Sequence, residues 1–293
     1  MKTWQRRLTI LVGLVAASYL AACGYMWATQ IDHVFAPSPD LQTTPARMGM
    51  AFEEVGIPVG SGREQGKLHG FWVPAANSNA PTFLYLHGFN GNIGKNLEHT
   101  HHLHQLGYHV LVVDYRGYGK SLGAGKPSET KVYEDAEAAW NYLTQTRGVK
   151  PREAFIYGHS LGAAVAIELA THHPEAAGLI TESTFTSMQA VGKLNYSFLP
   201  IGFLLNQRFE SLQKIATLKI PVLLIHGTWD AKIPVAMARQ LYAAAPQPKT
   251  LLLIEGGEHN NTGTIGWVEY QQAVTAFVQA QLNHAGQVAG QTP

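Results

Sequence analysis

From about residue 51 onward, short apolar runs alternate with longer stretches in which apolar positions recur at helical spacing. A short apolar run bounded by turn residues is typical of a buried strand, and the longer periodic stretches predict amphipathic helices. The predicted strands are AFEEVGIPV, KLHGFWV, TFLYL, HVLVV, AFIY, AGLIT, VLLIHG and TLLLIEG. The predicted helices lie near 94–107, 130–147, 160–173, 234–245 and 265–283. This alternation predicts an α/β fold with a mostly parallel eight-stranded sheet and helices on both faces.

One segment interrupts the alternation. Residues 183–215 are rich in Phe, Leu and Asn and separate AGLIT from the strand that begins near Pro221, so their length predicts a small lid. The folded domain is expected to span residues 51–283. Residues 24–50 show little periodicity and contain several prolines, which predicts a tether, and residues 284–293 lack a hydrophobic pattern and predict a flexible tail.

A serine stands between two glycines where a predicted strand gives way to a helix. Gly158-His159-Ser160-Leu161-Gly162 matches the pattern G-x-S-x-G, with an apolar run before it and an alanine-rich stretch after it. The glycines leave room for the sharp turn that lifts a serine hydroxyl above the sheet. This context predicts that Ser160 is a nucleophile rather than a polar residue in an ordinary turn.

A serine hydroxyl needs a base, and a group that orients the base, to act as a nucleophile near neutral pH. His259 follows the last apolar strand and two glycines, where a loop can return the imidazole to Ser160. Asp230 follows the preceding strand, and the order Ser, Asp, His accompanies this type of elbow. Asp230 is therefore the predicted acid and His259 the predicted base. Glu182, which ends the strand after the serine helix, is the alternative acid.

Two backbone N–H groups are expected to bind the oxyanion that forms during acyl transfer. Leu161, directly after the serine, supplies one at the start of its helix. The stretch LYLHGFNGN follows another apolar strand with a His-Gly turn, so the amide of Phe89 is the expected second donor.

The motifs HGFNGN, DYRGYGKS, GHSLG, TESTF and HGTWDAKIP occur in the order and spacing of the α/β hydrolases. The chain resembles a membrane-anchored branch of that superfamily with serine aminopeptidase-like and dienelactone hydrolase-like relatives, over roughly residues 50–283. The resemblance implies a nucleophile at Ser160, an acid at Asp230, a base at His259 and oxyanion amides at Phe89 and Leu161. It does not identify the substrate, because one scaffold supports esterases, lipases, thioesterases and peptidases.

The N-terminus combines a basic flank with an apolar run. MKTWQRR is followed by LTILVGLVAASYLAA and then by Cys23, which resembles a bacterial lipoprotein signal in which Cys23 becomes the lipidated first residue. The apolar run continues through CGYMW to Trp27, so an uncleaved membrane anchor is the alternative. Both interpretations place the basic flank inside and the body of the protein outside the cytoplasm, attached to a membrane.

Charge and composition restrict the partners. The formal net charge is +1, and Lys2, Arg6 and Arg7 lie in the N-terminal flank, so a nucleic-acid partner is not expected. A single cysteine excludes an internal disulfide and a thiolate metal cluster. The run HTHHLH at residues 99–104 lacks the cysteines or carboxylates that would complete a metal site. No cofactor or metal is expected.

These features predict a serine hydrolase that cleaves small-molecule carboxylic esters or thioesters. A serine peptidase similar to the aminopeptidases is the alternative enzyme, and it would need an acidic pair to hold a free amino terminus. The lid sequence NYSFLPIGFLL contains no acid and suits an apolar acyl group. A non-catalytic binding protein on the same fold is the alternative from another class, against which the presence of Ser160, Asp230 and His259 argues.

Overall fold

A central sheet organises the residues that the computed structural model describes, which are 2–62, 65–121, 123 and 125–289. The strands are β1 (Ala36–Pro37), β2 (Glu53–Val59), β3 (Gly66–Val73), β4 (Thr82–Leu86), β5 (Asn90–Gly91), β6 (His109–Val113), β7 (Ala154–His159), β8 (Gly178–Glu182), β9 (Val222–Gly227) and β10 (Lys249–Ile254). Eight of them form one sheet in the order β10-β9-β8-β7-β4-β6-β3-β2. Only the pairs β2–β3 and β3–β6 of this sheet are antiparallel. The predicted mostly parallel eight-stranded sheet is confirmed.

Both faces of the central strands β4, β6, β7, β8 and β9 are buried, which explains why these strands are mostly apolar runs. Along β4, Phe83 and Tyr85 join one hydrophobic cluster while Leu84 and Leu86 join the other. This alternation follows from the two-residue period of a strand. Each fully buried side chain of this size contributes about 1.5–3 kcal/mol to the free energy of unfolding.

Helices cover the two faces, as predicted. They are α1 (Thr3–Val34), α2 (Leu97–Gln105), α3 (Glu129–Asn141), α4 (Leu161–His172), α5 (Met188–Asn195), α6 (Ile201–Leu204), α7 (Ser211–Ile215), α8 (Val235–Ala244), α9 (Thr262–Ile265) and α10 (Trp267–Ala289). Buried residues of α3, α4, α7 and α8 belong to one cluster, and those of α2 and α10 belong to the other. The carboxyl ends of the parallel strands remain open between these layers and hold the candidate site.

The N-terminal helix differs from the sequence prediction. The predicted tether, residues 24–50, begins inside α1, which continues without a break to Val34. The end of α1 shows no hydrophobic periodicity because some of its polar residues pack on the rest of the protein. Gln30, for example, is buried and donates to the carbonyl of Leu204. The chain after Val34 is also held, since β1 pairs with β5 and Asn92 donates to the carbonyls of Ser38 and Asp40.

Two further predicted segments have defined positions. The lid segment, residues 183–215, lies between β8 and β9 and contains α5, α6 and α7. The predicted flexible tail, 284–293, begins inside α10, whose backbone is helical to Ala289. Residues 290–293 lie outside the described residues.

Candidate active site

Ser160 occupies a strained turn between β7 and α4. Its backbone angles, φ 55° and ψ −118°, lie in a region that residues other than glycine rarely adopt, which costs on the order of 1–3 kcal/mol. The flanking glycines are required by close approach: a Cβ on Gly158 would overlap the backbone of Gly162 and Ala163, and one on Gly162 would overlap the carbonyl of Leu86. The turn places the hydroxyl at the carboxyl end of the sheet.

Ser160, His259 and Asp230 form a continuous line of hydrogen bonds. The Nε2 atom of His259 lies 3.0 Å from Ser160 Oγ, and its Nδ1 atom lies 2.8 Å from Asp230 Oδ2. All three side chains are buried. An ionised aspartate only accepts, so Nδ1–H donates to Asp230 and Nε2 is left to accept the serine proton. The structure thus brings together the three residues predicted from strand-end positions far apart in the chain.

Asp230 is held in its ionised form. Its Oδ1 atom accepts backbone N–H bonds from Lys232 and Ile233, both at 2.9 Å. Burial alone would raise the pKa of this carboxyl, but the hydrogen bond and charge of His259, together with the Ile233 N–H, lower it overall. The second oxygen is therefore available as an anionic acceptor for the imidazole.

The loop that carries His259 is fixed by a residue next to the serine. Burial, together with the charge of His99, lowers the pKa of His159 to about 3, so this ring is neutral. Its Nε2 lies 2.9 Å from the carbonyl oxygen of His259 and donates to it. His159 thereby ties the histidine loop to the serine turn.

Glu182, the alternative acid, is engaged elsewhere. Its carboxylate accepts hydrogen bonds from Tyr157 and Thr262, and His99 Nε2 lies 3.5 Å from it. Burial would raise the pKa of Glu182, but the charge and hydrogen bond of His99 lower it strongly. Burial would lower the pKa of His99, but the charge and hydrogen bond of Glu182 outweigh it and raise that pKa overall. The pair is therefore a buried ion pair beneath the site.

Replacing His99 by glutamine is expected to lower the free energy of unfolding by about 3 kcal/mol, because Glu182 is left as a buried charge without its cation. The contribution of Glu182 is present above its ordinary pKa of 4.5 and is lost as the pH falls through its lowered value. The contribution of His99 to stability is present below its ordinary pKa of 6.5 and is lost as the pH rises through its raised pKa in the folded protein. The free energy of unfolding is measured by denaturant titration from pH 4.5 to alkaline pH. The difference between wild type and His99→Gln should be largest between pH 4.5 and 6.5.

His104→Gln is the matched control, because His104 is half-buried on the same helix. It should change the free energy of unfolding little. A His99→Gln difference that stays constant over this whole pH range would contradict the ion pair.

The loop that contains the predicted oxyanion donor Phe89 is held by hydrogen bonds to its backbone carbonyls. The carbonyl of His87 accepts from Tyr115 at 3.1 Å, and that of Phe89 accepts from Tyr118 at 2.8 Å and from the N–H of Ala36 at 3.0 Å. Tyr115 and Tyr118 come from the DYRGYG motif, and sequence reasoning did not predict that they hold this loop. Its peptide planes are thus fixed before any substrate binds.

Leu161, the other predicted donor, is the first residue of α4, where an N–H has no acceptor within the helix. Leu161 and Phe89 both line the cavity that contains Ser160. Both predicted donor residues therefore border the same cavity as Ser160.

Two cavities meet at Ser160. The first, of about 540 Å³, is mainly apolar, and its wall includes Met26 and Val34 of α1 and Met188, Val191, Ile201 and Leu204 of the lid segment. The second, of about 390 Å³, has mostly polar residues in its wall, among them Asn90, Lys95, Asn96, Glu98, Lys232 and Asn260. Ser160 and His259 line both. The arrangement suits a molecule with an apolar part on one side of the reacting bond and a polar part on the other.

Comparisons with known proteins support the α/β hydrolase fold. A family model described as serine aminopeptidase, S33, matches residues 78–213. An uncharacterized protein of Mycobacterium tuberculosis is 34% identical over 252 residues, which are 86% of each chain. Alpha/beta hydrolase domain-containing protein 17B of Homo sapiens is 32% identical over 206 residues, 69% of this chain and 67% of that protein. The esterase Pf2001 of Pyrococcus furiosus has a similar fold, with a TM-score of 0.67 at 22% identity over 84% of this chain and 98% of that one.

Proposed function

Because this chain belongs to the α/β hydrolase superfamily, we propose that it is a serine hydrolase that cleaves carboxylic esters or thioesters through an acyl-enzyme. The line of contacts from Ser160 through His259 to Asp230, with N···O distances of 3.0 and 2.8 Å, carries the proposal. A binding protein would have no use for a serine in a strained turn with a buried base beside it. The proposed roles are nucleophile for Ser160, base for His259 and acid for Asp230.

In the proposed reaction, Ser160 Oγ attacks the acyl carbonyl carbon while His259 Nε2 takes the hydroxyl proton. The amides of Phe89 and Leu161 stabilise the oxyanion, and Asp230 stabilises the imidazolium. The tetrahedral intermediate expels the alcohol or thiol, which receives the proton from His259. Water, deprotonated by the same base, then releases the acid and restores Ser160.

The lining of the larger cavity favours esters over peptides. Among the described residues that line this cavity there is no carboxylate. Apart from the histidines His33 and His259, Lys232 is the one ionisable residue with a formal charge in the described part of this lining. A peptidase that acts on a free amino terminus needs an anion to bind that amine. The family name, serine aminopeptidase, and exposed Glu98 in the smaller cavity favour the peptidase as the second candidate.

A matched pair of chromogenic substrates tests this choice. The full chain in detergent should hydrolyse p-nitrophenyl butyrate with a kcat/KM at least about a hundredfold above that for alanine p-nitroanilide, because an unbound ammonium loses several kcal/mol of pairing. Ser160→Ala should remove the activity on both. A higher kcat/KM for the anilide would overturn the ester proposal and favour the aminopeptidase.

We further propose that α1 is an uncleaved anchor that holds the catalytic domain outside the cytoplasm. By length and composition the helix is sufficient to cross a membrane. Cys23, the predicted lipidation site, lies in the middle of the helix, and its side chain is buried against Leu199 and Ile201 of the lid segment. Cleavage before Cys23 and acylation of its thiol would disturb this packing, which supports the anchor over the lipoprotein.

Replacing Cys23 by alanine separates the two interpretations. An anchor predicts that the variant stays in the membrane fraction with an unchanged mass apart from the substitution, because the helix still spans residues 3–34. The measurement is intact-protein mass spectrometry of the membrane fraction. A wild-type protein that begins at Cys23 and carries acyl groups, with an unprocessed precursor in Cys23→Ala, would establish the lipoprotein.

A further inference from the structure

The helix α1, the proposed membrane anchor, also forms part of the wall of the candidate active site. Met26, Gln30, His33 and Val34 lie on roughly the last three turns of α1 and line the 540 Å³ cavity that contains Ser160. The same helix that is apolar enough to cross a bilayer is therefore a wall of the cavity proposed to hold the acyl group.

The lid segment is fastened to this helix at several levels. Tyr19 donates to the carbonyl of Phe198 at 3.0 Å. Further along, Gln30 donates to the carbonyl of Leu204 at 3.3 Å and accepts from the N–H of Asn206 at 2.7 Å. These hydrogen bonds fix the position of the lid segment along the axis of α1.

Aromatic side chains mark where α1 leaves the hydrocarbon. Tyr and Trp concentrate at the two interfaces of a bilayer. Exposed Trp4 lies at one end of the helix, and exposed Tyr19, Tyr25 and Trp27 lie towards the other. Trp4 and Tyr25 are about 32 Å apart along the axis, close to the roughly 30 Å of hydrocarbon in a bilayer. The lid segment therefore meets α1 at the level of the membrane interface.

The lid segment also exposes large apolar side chains. Phe203 is 93% exposed, Phe198 68% and Leu194 53%. Contiguous apolar groups on a surface mark a site of contact with another apolar phase. Phe198 is held at the level of Tyr19, where the phase next to an exposed side chain is the outer part of the bilayer.

On these observations, and resting on the proposed hydrolase function, we propose that the substrate is an amphipathic acyl ester or thioester resident in the bilayer. Its acyl chain enters the apolar cavity directly from the membrane, between α1 and the lid segment. Its polar leaving group occupies the smaller cavity, beside Asn90, Asn96 and Asn260. The leaving alcohol or thiol takes the proton from His259 and departs into water, and the fatty acid returns to the bilayer.

Chain-length selectivity tests this route with the full chain in phosphatidylcholine vesicles. The substrates are p-nitrophenyl butyrate, added from water, and monopalmitoylglycerol, mixed into the same vesicles. The double variant Phe198→Ser/Phe203→Ser should lower palmitate release about tenfold relative to butyrate hydrolysis, because it removes two large apolar contacts with the bilayer. Val268→Ser is the matched control, since Val268 is 59% exposed on α10, outside both α1 and the lid segment, and should leave the ratio unchanged.

The outcomes separate the two proposals. Butyrate hydrolysis with a palmitate-to-butyrate ratio unaffected by the double variant would leave the hydrolase standing and overturn membrane entry. No hydrolysis of either ester by wild type would overturn the hydrolase and membrane entry together.

The depth of the lid segment is a second, independent measurement. The chain has a single cysteine, so a Cys23→Ala background accepts one fluorescent nitrobenzoxadiazole label at a chosen position. The label on Phe203→Cys should emit at shorter wavelength in phosphatidylcholine vesicles and be quenched by nitroxide groups on the acyl chains. The label on Val268→Cys should show neither effect. Identical emission and quenching at the two positions would overturn the proposal.

Discussion

Replacing Ser160 by alanine is expected to lower kcat/KM for p-nitrophenyl butyrate by roughly 10⁵-fold, which is the size of effect seen when the nucleophile of a triad is removed. The side chain carries the atom that forms the proposed acyl-enzyme, and no other described hydroxyl lies within hydrogen-bond distance of His259 Nε2. The oxyanion amides are backbone groups and stay in place, so a small residual activity above that of water is expected. The measurement is steady-state hydrolysis by the full chain in detergent.

Ser183→Ala is the matched control for this substitution. Ser183 is buried, follows the neighbouring parallel strand β8 and also has a positive φ, 51°, so its replacement tests the general effect of removing a strained, buried serine. We expect its kcat/KM to stay within about fivefold of wild type, because a hydroxyl outside the reacting groups contributes less than about 1 kcal/mol. Equal losses in the two variants would show that structural damage, and not loss of a nucleophile, explains the Ser160 result.

Replacing Asp230 by asparagine is expected to lower kcat by roughly 10⁴-fold, with folding retained. The Oδ1 position receives N–H bonds from Lys232 and Ile233, so it must be filled by the amide oxygen of asparagine. The amide nitrogen then faces His259 Nδ1 and donates to it. The imidazole must carry its proton on Nε2 instead, where it can no longer accept the proton of Ser160.

Glu182→Gln distinguishes the two candidate acids. It removes the partner of His99 and should lower the melting temperature while reducing kcat much less than Asp230→Asn does. A kcat that falls further in Glu182→Gln than in Asp230→Asn, with both variants folded by circular dichroism, would assign the acid to Glu182.

The geometry of the candidate site could be predicted from the sequence because each part follows a local rule. Ser160 lies in a strand-turn-helix motif whose glycines are fixed by close packing, and Asp230 and His259 each follow a strand of the parallel sheet. The carboxyl ends of neighbouring parallel strands meet at one edge, so three residues far apart in sequence converge. The eight-stranded sheet could be predicted for the same reason, since each strand is a separate apolar run.

The parts that sequence reasoning missed depend on contacts between distant elements. The end of α1 is helical beyond the predicted boundary because Gln30 bonds to the backbone of the lid segment, and a polar residue gives no pattern that indicates such a partner. The support of the Phe89 loop by Tyr115 and Tyr118 also joins separate segments. The role of Met26 in the cavity wall could not be inferred from an N-terminal hydrophobic run that resembles a signal sequence.

Labelling by a fluorophosphonate tests the central proposal most directly, because the reagent phosphonylates only an activated serine. The full chain in detergent is treated with the probe, digested and mapped by mass spectrometry, with Ser160→Ala treated in parallel. We predict one modified peptide, with the adduct on Ser160, and no labelling of the variant. A folded wild-type protein that stays unlabelled, or an adduct that persists on another residue in Ser160→Ala, would contradict the proposed nucleophile.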